Sequence, residues 1–272
     1  MPLTTFQREL LSTLAGAATE ERYLAGGAAL HFSPNSTRYS DDLDFFAESE
    51  ARVASAFAAD GKRLEQADYA VDVDFALPGF VRAVVRRGDE ATRVDWAHDS
   101  AWRFMPLVRD ELGGLLLHQV DLATNKVLAL AGREEPRDFV DILFVHGRVL
   151  RLAALTWAAV SKDPGFTPLS LLELLKRHGR YRGEDFARLK LAEPFDLIVA
   201  KQKWLDALAE AEYFARARPP GEYGCLYWSS ASQQFVAPRS DVSLAEQGVV
   251  PHFGAPGGVV PRMADARIEQ TP

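Results

Sequence analysis

Asp42 and Asp44 lie two residues apart in the stretch Asp42-Leu43-Asp44-Phe45-Phe46. On a strand, both carboxylates project from one face, roughly 6.5–7 Å apart along the backbone, while Leu43 and Phe45 point into a core. Two carboxylates on one face repel, and burying them unpaired is costly, so the pair calls for a cation. Hard divalent ions take oxygen ligands, usually one or two protein carboxylates plus substrate phosphates. Asp95 sits in a second alternation, Arg93-Val94-Asp95-Trp96, and from a neighbouring strand it would bring a third carboxylate to the same place. Three such ligands can hold two metals ~3.5–4 Å apart and stabilise both entering and leaving oxygens of a displacement. Acidic doublets are also common at solvated strand ends, and Asp72-Val73-Asp74 repeats the spacing.

What sets the first pair apart is Gly26-Gly27, fifteen residues upstream, directly after the strand-like Tyr23-Leu24-Ala25 and at the start of a short Ala/Leu run. Glycines there allow close backbone approach, and a helix N-terminus offers free N–H groups to phosphate. Further on, Lys126 and Arg133 are seven apart on a predicted helix and share a face. Asp138 and Asp141, three apart after Pro136, share a face of the next helix. A lysine in that position can serve triphosphate oxygens as a point charge. Spacing alone favours a plainer arrangement, ion pairs of Lys126 or Arg133 with Asp138 or Asp141.

The elements that must position these residues follow from periodicity. A helix is expected over about 5–20 and another over 51–65, with strands at Val71 to Phe75, Phe80 to Arg87 and Thr92 to Trp96. Gly88-Asp89 marks a tight reversal, which makes the last two an antiparallel hairpin. From about 119 the pattern turns helical, near 119–132, 137–147, 152–160, 168–179 and 197–218, punctuated by Pro136, Pro164-Gly165 and Pro194. After Pro219-Pro220-Gly221 a Gly/Pro-rich stretch holds one candidate hairpin at 225–237. The expectation is an α+β protein: a core over 1–118, a helical domain over 119–220 that completes the site, and an extension over 221–272 with a frayed end.

Bulk properties narrow the class. The chain has 272 residues, a formal net charge of −7 and 47% hydrophobic content, which suits a folded protein and argues against a uniformly basic nucleic-acid binder. Its single cysteine, Cys225, excludes an internal disulfide, fits a reducing cytoplasm and reads as a small buried side chain. No apolar run approaches the ~20 residues of a membrane helix, and the N-terminus lacks the basic start of a signal peptide. Six histidines show no metal-ligand spacing, so a zinc site is not expected. Neither a G-x-S-x-G motif, a P-loop nor a G-x-G-x-x-G occurs.

Two blocks carry a family resemblance: Tyr23-Leu24-Ala25-Gly26-Gly27-Ala28-Ala29-Leu30 with Arg38-Tyr39-Ser40-Asp41-Asp42-Leu43-Asp44-Phe45-Phe46, and Lys126 to Leu130 with Arg133, Pro136-Arg137-Asp138-Phe139 and Asp141. They resemble nucleotidyltransferases of the AbiEii/MenT type, in the DNA polymerase β-like superfamily, which includes toxins of type IV-like toxin–antitoxin and phage-defence systems. The resemblance spans roughly 20–145 and implies a polymerase β-like nucleotidyltransferase domain with a mixed sheet, followed by a mostly helical domain. It implies that Gly26 and Gly27 bind nucleotide phosphates, that Asp42 and Asp44 ligate Mg²⁺ (or Mn²⁺), and that Asp95 is the third carboxylate and the candidate proton acceptor. Lys126, with Arg133, would contact the triphosphate of an NTP co-substrate, and Asp138 would belong to the acidic helical motif. Many superfamily members carry Ser where this chain has Gly27.

Nucleotide transfer from an NTP to an acceptor hydroxyl, with release of pyrophosphate, is thus the expected activity. The acceptor is expected to be RNA, a tRNA 3′ end in some relatives, and a cognate antitoxin is a candidate partner. Lys176-Arg177-His178-Gly179-Arg180-Tyr181-Arg182 is a basic run with an interleaved tyrosine suited to a phosphate backbone, or else an ordinary solvated helix end. The rivals are a small-molecule nucleotidyltransferase of the antibiotic-modifying kind and a non-catalytic nucleotide-binding partner, the latter disfavoured by intact Asp42, Asp44 and Lys126.

Overall fold

A computed structural model of the protein describes residues 3–15, 22–32 and 36–261. Helix α1 (Thr5–Ala15) buries Phe6, Leu10, Leu11 and Leu14; the rest of the helix expected to 20 lies outside the described residues. Strand β1 (Tyr23–Ala25) runs directly into α2 (Gly26–Leu30), the strand-to-helix junction expected at the glycine pair. Next come β2 (Asp42–Ala47) and α3 (Glu50–Gln66), whose N-cap Ser49 accepts the Arg52 N–H. Strands β3 (Ala70–Leu77), β4 (Phe80–Arg87) and β5 (Glu90–His98) form an antiparallel meander. The β4–β5 reversal is the two-residue turn expected at Gly88-Asp89, where Gly88 takes φ +59° at no steric cost.

Three short strands then follow: β6 (Trp102–Arg103), β7 (Val108–Asp110) and β8 (Gly114–Leu116). Two or three residues are too few to show an alternation, which is why the sequence does not announce them. The main sheet has the order β3-β4-β5-β2-β1-β8-β7. It is mixed, with β2–β5 and β1–β8 parallel and the other pairs antiparallel. Leu43, Phe45, Val94 and Trp96 point to one face, no more than 1% exposed, under α3. Asp60 of α3 takes the Trp96 indole N–H at 2.8 Å, so the buried donor is satisfied. The opposite face of the same strands carries Asp42, Asp44, Arg93 and Asp95.

The second half is helical: α4 (Gln119–Arg133), α5 (Pro136–Arg148), α6 (Leu152–Ala159), α7 (Pro168–His178) and α8 (Leu197–Ala217). Each lies within a residue or so of its expected span. Glu134 in the left-handed region (φ 49°) ends α4, and Pro136 opens α5 where its missing N–H is not needed. Helix α6 is buried on every side and is the hub of this half.

The expected hairpin is present as β9 (Leu226–Ser229) and β10 (Gln234–Phe235). Strand β11 (Val249–His252) pairs with the other edge of β9, and β12 (Ala255–Pro256) pairs with β6. The C-terminal stretch therefore returns to the segment between β5 and β7. Cys225 is buried, and burial pushes its thiol up to about 12. Among the described residues, no helix is long and apolar enough to cross a membrane.

Candidate active site

Strand register assembles the acidic floor. Parallel pairing sets Asp42 beside Arg93 and Asp44 beside Asp95, and antiparallel pairing sets Arg82 of β4 beside Asp95. Directly paired residues face the same way, so these five side chains share one face of the sheet. Arg82 spans both oxygens of Asp95 at 2.8 and 2.7 Å. Arg93 ion-pairs with Asp42, Arg137 reaches the same carboxylate from α5 at 3.5 Å, and Ser40 Oγ donates to it at 3.2 Å. Burial alone would raise Asp42, but Arg93 and Arg137 hold it below the usual carboxylate range.

Asp44 is different. Among the described residues its carboxylate receives no hydrogen bond and no ion pair. Burial pushes it up to about 6, helped by repulsion from Asp42 and Asp95 and opposed by Lys126. Its neighbour Gly26 has φ +62°, and a Cβ there would sit 1.8 Å from the Asp44 carboxylate oxygen. Gly26 is therefore required twice, for its backbone and for the space it leaves. A Cβ on Gly27 would meet the Arg38 guanidinium at 2.8 Å and Ser40 Oγ at 3.0 Å. Ser40 and Arg38 thus fill the space that a side chain at position 27 would take.

Beside the floor stands a second acidic group, fully buried and fully paired. Asp141 receives both ends of Arg38 at 2.7 and 2.8 Å, Lys126 Nζ at 2.8 Å and the His31 ring at 2.6 Å. Asp138 receives Lys126 Nζ at 3.0 Å and Arg133 at 2.6 and 2.9 Å. Burial would raise both aspartates, yet these cations hold Asp138 low and Asp141 well below the usual range. Burial also lowers His31. The ion pairs that spacing favoured for Lys126 and Arg133 are all formed, and both residues still line the cleft.

That cleft encloses about 430 Å³ between the sheet and α4. It brings together Gly26, Gly27, Asp42, Asp44, Asp95, Lys126 and Arg133, all expected at a site from the sequence. Asp138 lies behind them, 0% exposed, holding Lys126 and Arg133 in place without facing the cleft. Asp72 is outside it, in an exposed pair with Arg86. Arg38, Arg82, Arg93 and Arg137 also line the cleft and were given no site role. Two were within reach: the alternation that places Asp95 on the face places Arg93 there too, and the two-residue turn fixes Arg82 opposite Asp95. One expectation is corrected. Tyr181 is not available to a phosphate backbone, because its ring is buried against Phe139 and Phe186. Lys176 of the same run is engaged by Glu173 and Glu212.

The carboxylates fit a hard divalent cation by donor type, with Asp44 free of any direct ion pair among the described residues. Among the described residues, no three or more His, Cys, Asp or Glu side chains are gathered closely enough to hold an ion as they stand.

No protein-family model matches the chain, and no curated protein matches it. Solved structures do. A putative nucleotidyltransferase from H. pylori is 18% identical, with 78% of this chain and 95% of that one covered and a TM-score of 0.45. JHP933 from Helicobacter pylori is 19% identical over 77% of this chain and 89% of its own, with a TM-score of 0.44. MenT4, a nucleotidyltransferase toxin from Mycobacterium tuberculosis, is 17% identical over 77% and 85%, with a TM-score of 0.47.

Proposed function

We propose that the cleft transfers a nucleotide from an NTP to an acceptor hydroxyl, using divalent metal, Mg²⁺ or Mn²⁺, held by Asp42, Asp44 and Asp95. The observation that carries this reading is Asp44: a carboxylate beside two others that, among the described residues, receives no hydrogen bond or ion pair, on the floor of a glycine-edged cleft lined by cations. When bound, the metal would neutralise charge on the phosphates and on the departing pyrophosphate. The remaining work falls to the chain itself. Gly26 and Gly27 let the triphosphate approach the backbone, and Lys126 and Arg133, pre-set by Asp138, present fixed positive charge to it.

In the step itself, the acceptor oxygen bonds to the α-phosphorus as the bond to the β-phosphate oxygen breaks, and pyrophosphate leaves. The acceptor proton passes to a carboxylate. Asp95 is the candidate, and Arg82 must release one of its oxygens first. Holding donor and acceptor in line is worth more than any single proton transfer.

The acceptor we propose is RNA, with a tRNA end as the first candidate, and the biological setting a toxin kept in check by a cognate antitoxin. The sequence resemblance supports this, as do the exposed Arg177, Arg180 and Arg182 beyond α7. Incubating the protein with each labelled NTP, Mg²⁺ and total RNA tests the reading. Label in RNA is expected. Label in a small molecule alone would favour the antibiotic-modifying alternative, and no label with any NTP would end the proposal.

A further inference from the structure

We propose that Arg93 and Arg137 are resident counter-ions of Asp42 that pass to the nucleotide's phosphates, so that the protein takes up divalent metal only together with nucleotide. The inference rests on the nucleotidyl-transfer reading of the cleft and names how its metal site is assembled.

The cations of the cleft fall into two kinds. Lys126 and Arg38 are gripped by Asp138 and Asp141, with side chains 8% and 6% exposed. They have no room to leave and no better partner to find. Arg93 and Arg137 are 39% and 31% exposed and hold a carboxylate on the open floor. Each makes poor use of its fork. The Nε atoms of both are buried without a hydrogen-bond partner, Arg93 Nε lying 3.9 Å from Asp95, so each guanidinium is only partly satisfied where it stands. A guanidinium is built for two parallel bonds to one anion, and a phosphate supplies that geometry where Asp42, shared between two arginines, does not.

Charge balance points the same way. Arg93 and Arg137 hold Asp42 and Arg82 holds Asp95, so a bare divalent ion would compete with guanidinium charge at two of the three carboxylates. It would have to displace a guanidinium within a cleft whose other anions, Asp44 and Asp95, are the carboxylates the ion itself needs. A metal arriving with a triphosphate brings the replacement partner. The arginines move to phosphate, Asp42 is released, and it joins Asp44 at the metal.

The test is Mn²⁺ binding by the full chain, read as loss of the free-ion electron paramagnetic resonance signal, with and without an NTP analogue that resists cleavage. The parent is expected to bind Mn²⁺ only when the analogue is present. Replacing both arginines (Arg93→Gln with Arg137→Gln) should create a site that takes Mn²⁺ alone, at least about tenfold tighter than the parent, within the usual range of coupling between sites. Adding Asp42→Asn should remove that gain, and Arg93→Lys with Arg137→Lys should restore the closed state. Should the double variant fail to melt cooperatively, Arg137→Gln alone is the second probe, with a smaller gain expected. Equal Mn²⁺ binding by parent and variant without analogue overturns the exchange. So does parent binding that needs the analogue while neither variant gains a site. If no protein binds Mn²⁺ under any condition, the nucleotidyl-transfer reading itself has failed.

Discussion

Two groups of aspartates lie within one side chain's reach of each other and are built on opposite terms. Asp138 and Asp141, on α5, are 0% exposed and receive between them Lys126, Arg133, Arg38 and His31. Asp42, Asp44 and Asp95, on the sheet, face an open cleft, and among the described residues Asp44 receives no hydrogen bond or ion pair. Lys126 touches the first group and faces the second. The difference teaches that carboxylate type and spacing do not decide role; the number of donors around each does. A saturated acid is a fastener, and an acid short of positive charge keeps the capacity to take a ligand.

The largest effect should come from breaking the fastener. Asp141→Ala leaves Arg38, Lys126 and the His31 ring buried without their acceptor, a change worth about 3–5 kcal/mol. For a chain of this size that is a fall in Tm of roughly 6–20 °C. A melt within a degree of the parent would show that the buried group is not what holds α2, α4 and α5 together.

Asp44 should behave in the opposite way. Asp44→Asn is expected to lower transfer by about 10²–10³-fold, the scale on which one preorganised electrostatic contact is lost, yet to raise stability. The sign follows from its protonation. Folded Asp44 sits at about 6 against the 3.8 of an ordinary aspartate, so between these values the folded state holds a proton that the unfolded state has released. Stability therefore falls as pH rises through that window, and the penalty is complete above it, at ~1–3 kcal/mol. The Asn variant should melt a few degrees above the parent at pH 7.5 and with it below pH about 4. A variant that melts lower at pH 7.5 would place Asp44 among the fasteners.

How much of this was legible beforehand depends on the distance over which the information travels. The helices from 119 onward were readable because local periodicity and Pro136, Pro164 and Pro194 define them. The acidic floor was readable because alternation along a strand assigns faces two residues at a time. The Arg82–Asp95 pair was implicit in the same logic once Gly88-Asp89 fixed the turn. Arg38 and His31 were not readable as partners of Asp141. More than a hundred residues separate them, and no local pattern records which distant helix will close on them. Strands β6, β7 and β12 are edge pairings of two or three residues, set by neighbours and carrying no signal of their own.

Lys126 bridges the two groups, so its replacement separates them. Lys126→Met removes one donor from each buried aspartate, but Asp138 keeps Arg133 and Asp141 keeps Arg38 and His31. The expected stability loss is ~1–3 kcal/mol, less than for Asp141→Ala, together with weaker NTP binding. Melts run alongside nucleotide titrations distinguish the two contributions. Unchanged NTP affinity with lowered Tm would assign Lys126 wholly to the buried cluster.

The smallest effect is expected on the surface, where charge is neither buried nor waiting. In the run at 176–182, Lys176 is held by Glu173 and Glu212, and Tyr181 is buried, which leaves Arg177, Arg180 and Arg182 exposed. Arg182 has only a loose exposed pair with Glu184 at 3.6 Å. Replacing the three arginines with Ala should leave Tm within about a degree, since exposed pairs contribute ~0–1 kcal/mol. If the acceptor is RNA and crosses this surface, its binding weakens with salt at a slope of about −0.7 for each phosphate neutralised on a single strand. The triple variant should flatten that slope by up to three such steps and lower the labelling of RNA. NTP binding should stay intact, because neither the acidic floor nor Lys126 is touched. Tyr181 packs on Phe139, the residue after Asp138 on α5, so this surface adjoins the start of α5, whose Asp138 holds the cleft-lining Arg133. An RNA end entering the cleft from that side would meet these arginines first. A salt series in which parent and triple variant label RNA alike would move the acceptor to another face of the cleft. Arg86 and Arg87, at the end of β4 and paired with Asp72 and Glu9, are the next positions to replace.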